Sequence, residues 1–151
     1  MPSSPPSSRD AIRDLMMRYA RHSDRSEYDA VGAMFEHGPF VSTRGLALSG
    51  AALAASRKRY IREHNGRPGT RQLTINVMID VDEDAASASA RSYYLLLQAT
   101  PTLALQLIGA GRYYDRFERV AGAWRFRSST IHLDHEGEID QHVPPNSALH
   151  Q

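Results

Sequence analysis

The chain has 151 residues, 41% hydrophobic and 23% charged, with a formal charge of +1 and no cysteine. That length suits one domain with a single core and no need of disulfide or metal staples. The composition excludes thiol catalysis, cysteine zinc sites and disulfides, and the near-neutral charge offers no global field for nucleic acid or an anionic membrane.

Residues 1–8, MPSSPPSS, are expected to be disordered, because nothing there can be buried to offset chain entropy. They lack the basic and apolar regions of a secretory signal, and no apolar run reaches the length of a membrane span. A cytoplasmic protein with no membrane partner is the expectation. One domain is expected over residues 9–140, followed by a flexible tail over 141–151 in which Val143 and Leu149 can dock on a neighbour.

The stretch from Ala11 to Phe35 reads as a helix, a break at Ser23-Asp24 and a second short helix. Over residues 9–22, Ile12, Leu15, Met16, Tyr19 and Ala20 follow the spacing of one apolar stripe. Ser7 or Ser8 can cap this helix, and Asp10 and Asp14 suit its positive end. The second helix, over 26–35, buries Val31, Met34 and Phe35 before Gly38-Pro39 stops it. A short strand pair is expected at 40–43 and 46–48. A third helix over 50–64 then places Leu53, Tyr60, Ile61 and His64 on one side and Arg57, Lys58, Arg59 and Arg62 on the other. That basic side reads as a solvated face, or else as a surface for an anionic substrate or acidic partner.

The remainder reads as strand. Residues 72–80 alternate, with Leu73, Ile75, Val77 and Ile79 on one face and Gln72, Thr74, Asn76 and Met78 on the other. A turn at 82–84 leads to a strand over 85–99, in which Ser92, Tyr94 and Leu96 share a face. The long strand over 103–119 contains Gly109 and Gly111, which suggest a bend or bulge. Ala121-Gly122 turns into a last strand over 124–133, where Arg127, Ser129 and Ile131 share a face. Both strand faces carry large apolar groups, so one is expected to face the helices and the other a second subunit. Helices first and long strands afterwards suggest a sheet curled around a helix-lined pocket, with the acid of the break, Asp24, as a general base.

Three blocks, RYARHSDRSEYDAVGAMF, TRQLTINVMIDVDEDAASASARSYY and GRYYDRFERVAGAWRFRSSTIHLD, taken in this order and spacing, resemble the SnoaL-like polyketide-cyclase branch of the nuclear transport factor 2-like superfamily. The resemblance implies an α+β cone, with three N-terminal helices packed in the concave face of a strongly bent mixed sheet. It also implies a homodimer formed through the outer sheet face. Members of the superfamily include polyketide cyclases, scytalone dehydratase, steroid isomerases, epoxide hydrolases and dehydrochlorinases, and also non-catalytic small subunits of ring-hydroxylating dioxygenases. Fold alone therefore does not give function.

In the dehydratases and dehydrochlorinases that this pattern resembles, an Asp at the end of the first helix works with a His on the first long strand. Asp24 matches that Asp, and a helix C-terminus and an apolar pocket would both raise its pKa. Asp24-Arg25-Ser26-Glu27 is equally a capping box for the second helix. The family's T-x-H-x-x-x-N strand reads here Thr70-Arg71-Gln72-Leu73-Thr74-Ile75-Asn76, so Gln72 replaces the His and the proton-shuttling dyad is absent. Gln72 and Asn76 can instead polarise a substrate carbonyl as uncharged donors. Tyr94 stands where scytalone dehydratase carries a second His, and Ser129 stands where the dehydrochlorinase pattern has an Arg.

The catalytic candidates are therefore Asp24, Gln72 and Tyr94, and the substrate-binding candidates are Tyr19, Asn76, Tyr113, Arg127 and Ser129. The resemblance implies a cofactor-independent cyclase, isomerase or dehydratase acting by proton transfer on a hydrophobic, carbonyl-bearing polyketide-, steroid- or terpenoid-like molecule. The alternatives are a ligand-binding or accessory subunit, or an epoxide hydrolase pairing Asp24 with Asp115. His132 and Asp134 point the same way on a strand but lack a third convergent ligand, so no metal is assigned.

Overall fold

Ser7 adopts extended backbone and accepts a hydrogen bond from the Asp10 amide at 3.2 Å, which sets the start of α1 (Ser8–Asp24). The computed structural model describes residues 4–145. Ile12, Met16, Tyr19 and Ala20 form the buried stripe that the helical period requires. The helix runs two residues beyond the expected 22, so Asp24 is its last residue. α2 (Tyr28–Met34) opens at Glu27 with no side-chain cap, so the capping-box role of Asp24 is not taken up. The path from α2 to β1 (Phe40–Val41) presses on the sheet, and a Cβ on Gly38 would lie 1.7 Å from the Arg127 carbonyl oxygen. β2 (Ala47–Leu48) and α3 (Gly50–Tyr60) follow.

Four long strands, β3 (Thr70–Asp82), β4 (Ser87–Gln98), β5 (Gln106–Val120) and β6 (Ala123–Glu136), form an antiparallel meander. β1 joins β6 in parallel and β2 pairs β1 antiparallel, giving one open mixed sheet in the order β2-β1-β6-β5-β4-β3. Four register shifts interrupt the ladders, and such bulges bend and twist the strands into a concave face. One of them lies at Ala110/Gly111, within the glycine segment. A Cβ on Gly111 would lie 2.0 Å from the His132 carbonyl oxygen and 2.7 Å from Tyr94 Cε1, so strand and tyrosine approach there as only glycine allows.

The core lies between the helices and the concave face. Ile12, Met16 and Tyr19 meet Val31, Phe35, Leu53, Tyr113, Phe117 and Phe126. The outer face exposes Leu73, Ile75, Met78, Tyr93, Leu107 and Tyr114. Among the described residues no helix is long and apolar enough to cross a membrane.

Two expectations are corrected. β3 does not alternate strictly, because the ladder shifts between Ile75 and Met78 and Asn76 sits at φ +51°. Thr70, Gln72 and Thr74 face inward before the shift, and Val77, Ile79 and Val81 after it, so Leu73 and Ile75 fall on the outer face and Asn76 is exposed. The start of the segment expected as a flexible tail over 141–151 is also packed against the domain. Ile139 and Val143 are buried against Tyr28, Ile61, Leu103 and Ile108. Gln98 Nε2 donates to the Gln141 carbonyl at 3.1 Å, and the Arg62 amide donates to the His142 carbonyl at 2.8 Å. Leu149 lies outside the described residues.

Candidate functional site

α1 ends over the first residues of β3, and the contact is made by its last side chain. Asp24 accepts from Thr70 Oγ1 at 2.9 Å and from the Gln72 amide, 3.0 Å from Oδ2 and 3.2 Å from Oδ1. Burial raises the Asp24 pKa above the ordinary carboxylate value, while the Gln72 amide, the Thr70 hydroxyl and the charge of Arg71 pull it partly back. The result is a carboxylate that binds a proton more readily than one in water, oriented by donors from a neighbouring strand.

Asp24 lies on the wall of a cavity of about 100 Å³ between the helices and the sheet. Such a space holds several waters or part of a small organic molecule, since one water needs only ~10–15 Å³. Phe40, Ile61, Leu96, Ile131 and Leu133 supply apolar walls. Gln72, Tyr19, Tyr94 and Tyr113 line the same space. Tyr113 Oη donates to Gln72 Oε1 at 3.4 Å, while Gln72 Nε2 is buried with no partner among the described residues. The rings of Tyr94 and Tyr113 lie 4.9 Å apart, and those of Tyr19 and Tyr113 6.0 Å apart. Burial pushes the phenol pKa values of Tyr94 and Tyr113 up, adjoining phenol oxygens add to it, and Arg57 only partly opposes it at Tyr113, so both keep their protons and can donate them in hydrogen bonds.

The structure thus brings together Asp24, Gln72, Tyr94, Tyr19 and Tyr113 and leaves three candidates outside this cavity. Asn76 is turned out by the β3 bulge. Arg127 is the extra residue of the bulge opposite Arg116 and Phe117, and it is exposed on the far side of β6. Ser129 faces inward but lies apart from the cavity, hydrogen-bonded to Asp115. Asp115 is 5% exposed, and burial raises its pKa to about 7 against the opposing pull of Ser129. Asp115 does not line the cavity of Asp24 but a small adjoining cleft that shares Tyr19, Gln72 and Tyr113 with it. Asp134 is engaged by Arg112 at 2.8 Å, and His132 stands edge-on to Tyr114.

Two ionisable cavity residues were not among the candidates. Arg57 belongs to the buried side of α3, not its solvated side, one helical turn after Leu53 and one before Ile61. That i, i+4, i+8 spacing between two apolar residues was the available signal. His142 enters the cavity from the C-terminal segment, where only the apolar pair Ile139 and Val143 hinted at docking. Burial, Arg57 and His64 lower its pKa to about 4, so the ring is neutral at pH 7, and its Nδ1 is buried without a partner among the described residues.

No curated protein matches the chain. Among solved structures, a nuclear transport factor 2-like protein with a cystatin-like fold from Novosphingobium aromaticivorans superposes with TM-score 0.70 at 19% identity, over 86% of this chain and 84% of that one. A scytalone dehydratase-like protein from the same organism gives 0.67 at 22%, covering 85% of each chain. A protein described as the beta subunit of an aromatic-ring-hydroxylating dioxygenase, also from that organism, gives 0.65 at 20%, over 85% and 90%. At these identities the likeness is one of fold. The family model described as a SnoaL-like domain matches residues 6–130, from the cap of α1 into β6, and with helices, bent sheet and cavity arranged as that family implies, the chain belongs to the SnoaL-like domain family.

Proposed function

We propose that this protein is a cofactor-independent enzyme that moves a proton on a hydrophobic, carbonyl-bearing small molecule of polyketide-, steroid- or terpenoid-like type, with cyclisation, isomerisation or dehydration as the outcome. Asp24 takes or relays the proton. The free Nε2 of Gln72 and the hydroxyl of Tyr94 donate to the oxygen on which charge develops, while Tyr19 and Tyr113 hold the body of the substrate. Uncharged donors in a site shielded from water contribute a few kcal/mol each, on the order of what one lost oxyanion donor costs. A homodimer formed through the apolar outer face is part of this reading, since Met78, Tyr93, Leu107 and Tyr114 are exposed there together.

The observation that carries the reading is Asp24, fixed by Thr70 and Gln72 at an apolar cavity with its pKa raised by burial. The test needs no prior substrate: deuterium exchange alpha to the carbonyl is followed by NMR across a panel of polycyclic and terpenoid ketones. Asp24→Asn in a folded protein is expected to lose about 100-fold or more of the exchange rate. Unchanged exchange rejects the mechanism.

A ligand carrier or accessory subunit is the second reading, and the Gln72 and Tyr94 substitutions at the two family His positions favour it. Light scattering separates the two. A self-sufficient dimer with Asp24-dependent exchange supports the enzyme, and a chain that is active only with a larger partner supports the accessory role.

A further inference from the structure

Arg57 is 8% exposed, lines the cavity, and forms no ion pair with a carboxylate among the described residues. Its Nη2 donates to Tyr19 Oη at 2.9 Å, and this is the only acceptor it finds among the described residues. Its Nε is buried with no partner among the described residues. The guanidinium lies over the Phe40 ring, 4.9 Å from the centroid, and 5.7 Å from that of Tyr19, so aromatic groups stand beside the charge and supply no carboxylate for it. Burial works against the charge, and the phenol oxygens of Tyr19, Tyr113 and Tyr28 favour it and hold the pKa above its ordinary value.

A guanidinium has five donors in a fixed fork and stays protonated, so burying it without a counter-charge is unfavourable unless an anion completes the set. Asp24 does not fill that role. The charge acting on its carboxyl is that of Arg71, and the groups acting on Arg57 are tyrosines. The nearby His142 adds no competing positive charge, because its ring is neutral, and its buried Nδ1 is also unpartnered among the described residues.

We propose that the cavity binds a hydrophobic carboxylate, with its two oxygens on the edge of Arg57 and beside His142 and its hydrocarbon body along Phe40, Ile61 and Leu96 toward Asp24. A carboxylate matches the guanidinium fork in shape and charge, and the apolar walls select an organic acid over an inorganic anion. This deepens the function proposed above, and rests on it only in taking this cavity as the substrate site. The substrate then carries an acid at one end and the carbonyl near Asp24.

The experiment is calorimetric titration of the full chain, in low-chloride buffer, with benzoate, cinnamate and 2-naphthoate and with the primary amide of each. At least one acid is expected to bind the wild type about 10- to 100-fold more tightly than its amide, the difference one charge-assisted pair contributes. Arg57→Met is expected to erase that preference and leave amide binding within about threefold, and Arg57→Lys to keep part of it. The same acids should raise the Tm of the wild type and not that of Arg57→Met. If no acid binds the wild type more tightly than its amide, or if a folded Arg57→Met keeps the preference, the inference is overturned; the first comparison needs no variant. Asp24→Asn separates the two claims. It should lose proton exchange and retain the carboxylate preference. Undiminished exchange in that variant removes the proton-transfer reading alone, whereas a missing preference beside Asp24-dependent exchange removes the carboxylate site alone.

Discussion

Thr70→Val isolates one of the contacts that tune Asp24. Thr70 is 2% exposed and donates its hydroxyl to Asp24 Oδ1 at 2.9 Å. Valine keeps the volume and β-branching and removes only the donor. Asp24 stands between burial, which raises its pKa, and three lowering effects: the Gln72 amide, the Thr70 hydroxyl and Arg71. A hydrogen bond to an ionised group contributes about 1.5–3 kcal/mol, and about 1.4 kcal/mol corresponds to one pKa unit. Losing the hydroxyl therefore raises the Asp24 pKa further, readable by carboxyl carbon NMR titration. Stability must follow with a definite sign. The folded pKa already lies above the unfolded value of 3.8, so the folded state holds the proton more tightly. Stability is then greatest below the unfolded pKa and declines as pH rises toward the folded one. Thr70→Val widens that window, so urea denaturation should show a loss about 1–3 kcal/mol larger near pH 7.5 than near pH 4. An unmoved titration, together with an equal loss at both pH values, would show that the hydroxyl does not hold the carboxylate.

Asp115 offers a second pH signature. Its folded pKa is about 7 against an ordinary 3.8, from burial that the Ser129 hydroxyl only partly opposes. Its contribution to stability is therefore full below about pH 4, falls as pH rises toward 7, and is level above that. Asp115→Asn should flatten the decline and stabilise the protein near pH 8 by on the order of 1–3 kcal/mol in urea denaturation. At the β5–β6 turn, Ala121 and Gly122 both have left-handed φ, +51° and +81°. Ala121→Asn should raise stability by about 0.5–1 kcal/mol in thermal unfolding, since asparagine tolerates this region better than alanine.

The amphipathic stripe of α1, the acid at its end, the three helices and the four long strands were all readable along the chain, because each depends on the spacing of near neighbours. So were the Gly109-Gly111 bend and the family pattern with its two replaced His positions. What could not be read locally depended on pairing and docking between distant segments. A single bulge at Asn76 reversed the parity of β3, sending Asn76 outward and splitting Leu73 and Ile75 from Val77 and Ile79, although the sequence alternates without a break. A matching extra residue in β6 put Arg127 on the outside and left Ser129 against Asp115 instead of in the cavity. The wall formed by Arg57 and His142 was hidden for the same reason. Arg57 resembles its basic neighbours on α3 until Tyr19 and Phe40 pack against it, and His142 reads as tail until Ile139 and Val143 bury themselves against Tyr28 and Ile108. Periodicity is a property of adjacent residues and survives in the sequence; a buried unpaired charge is a property of what packs over it, and only the folded chain decides that.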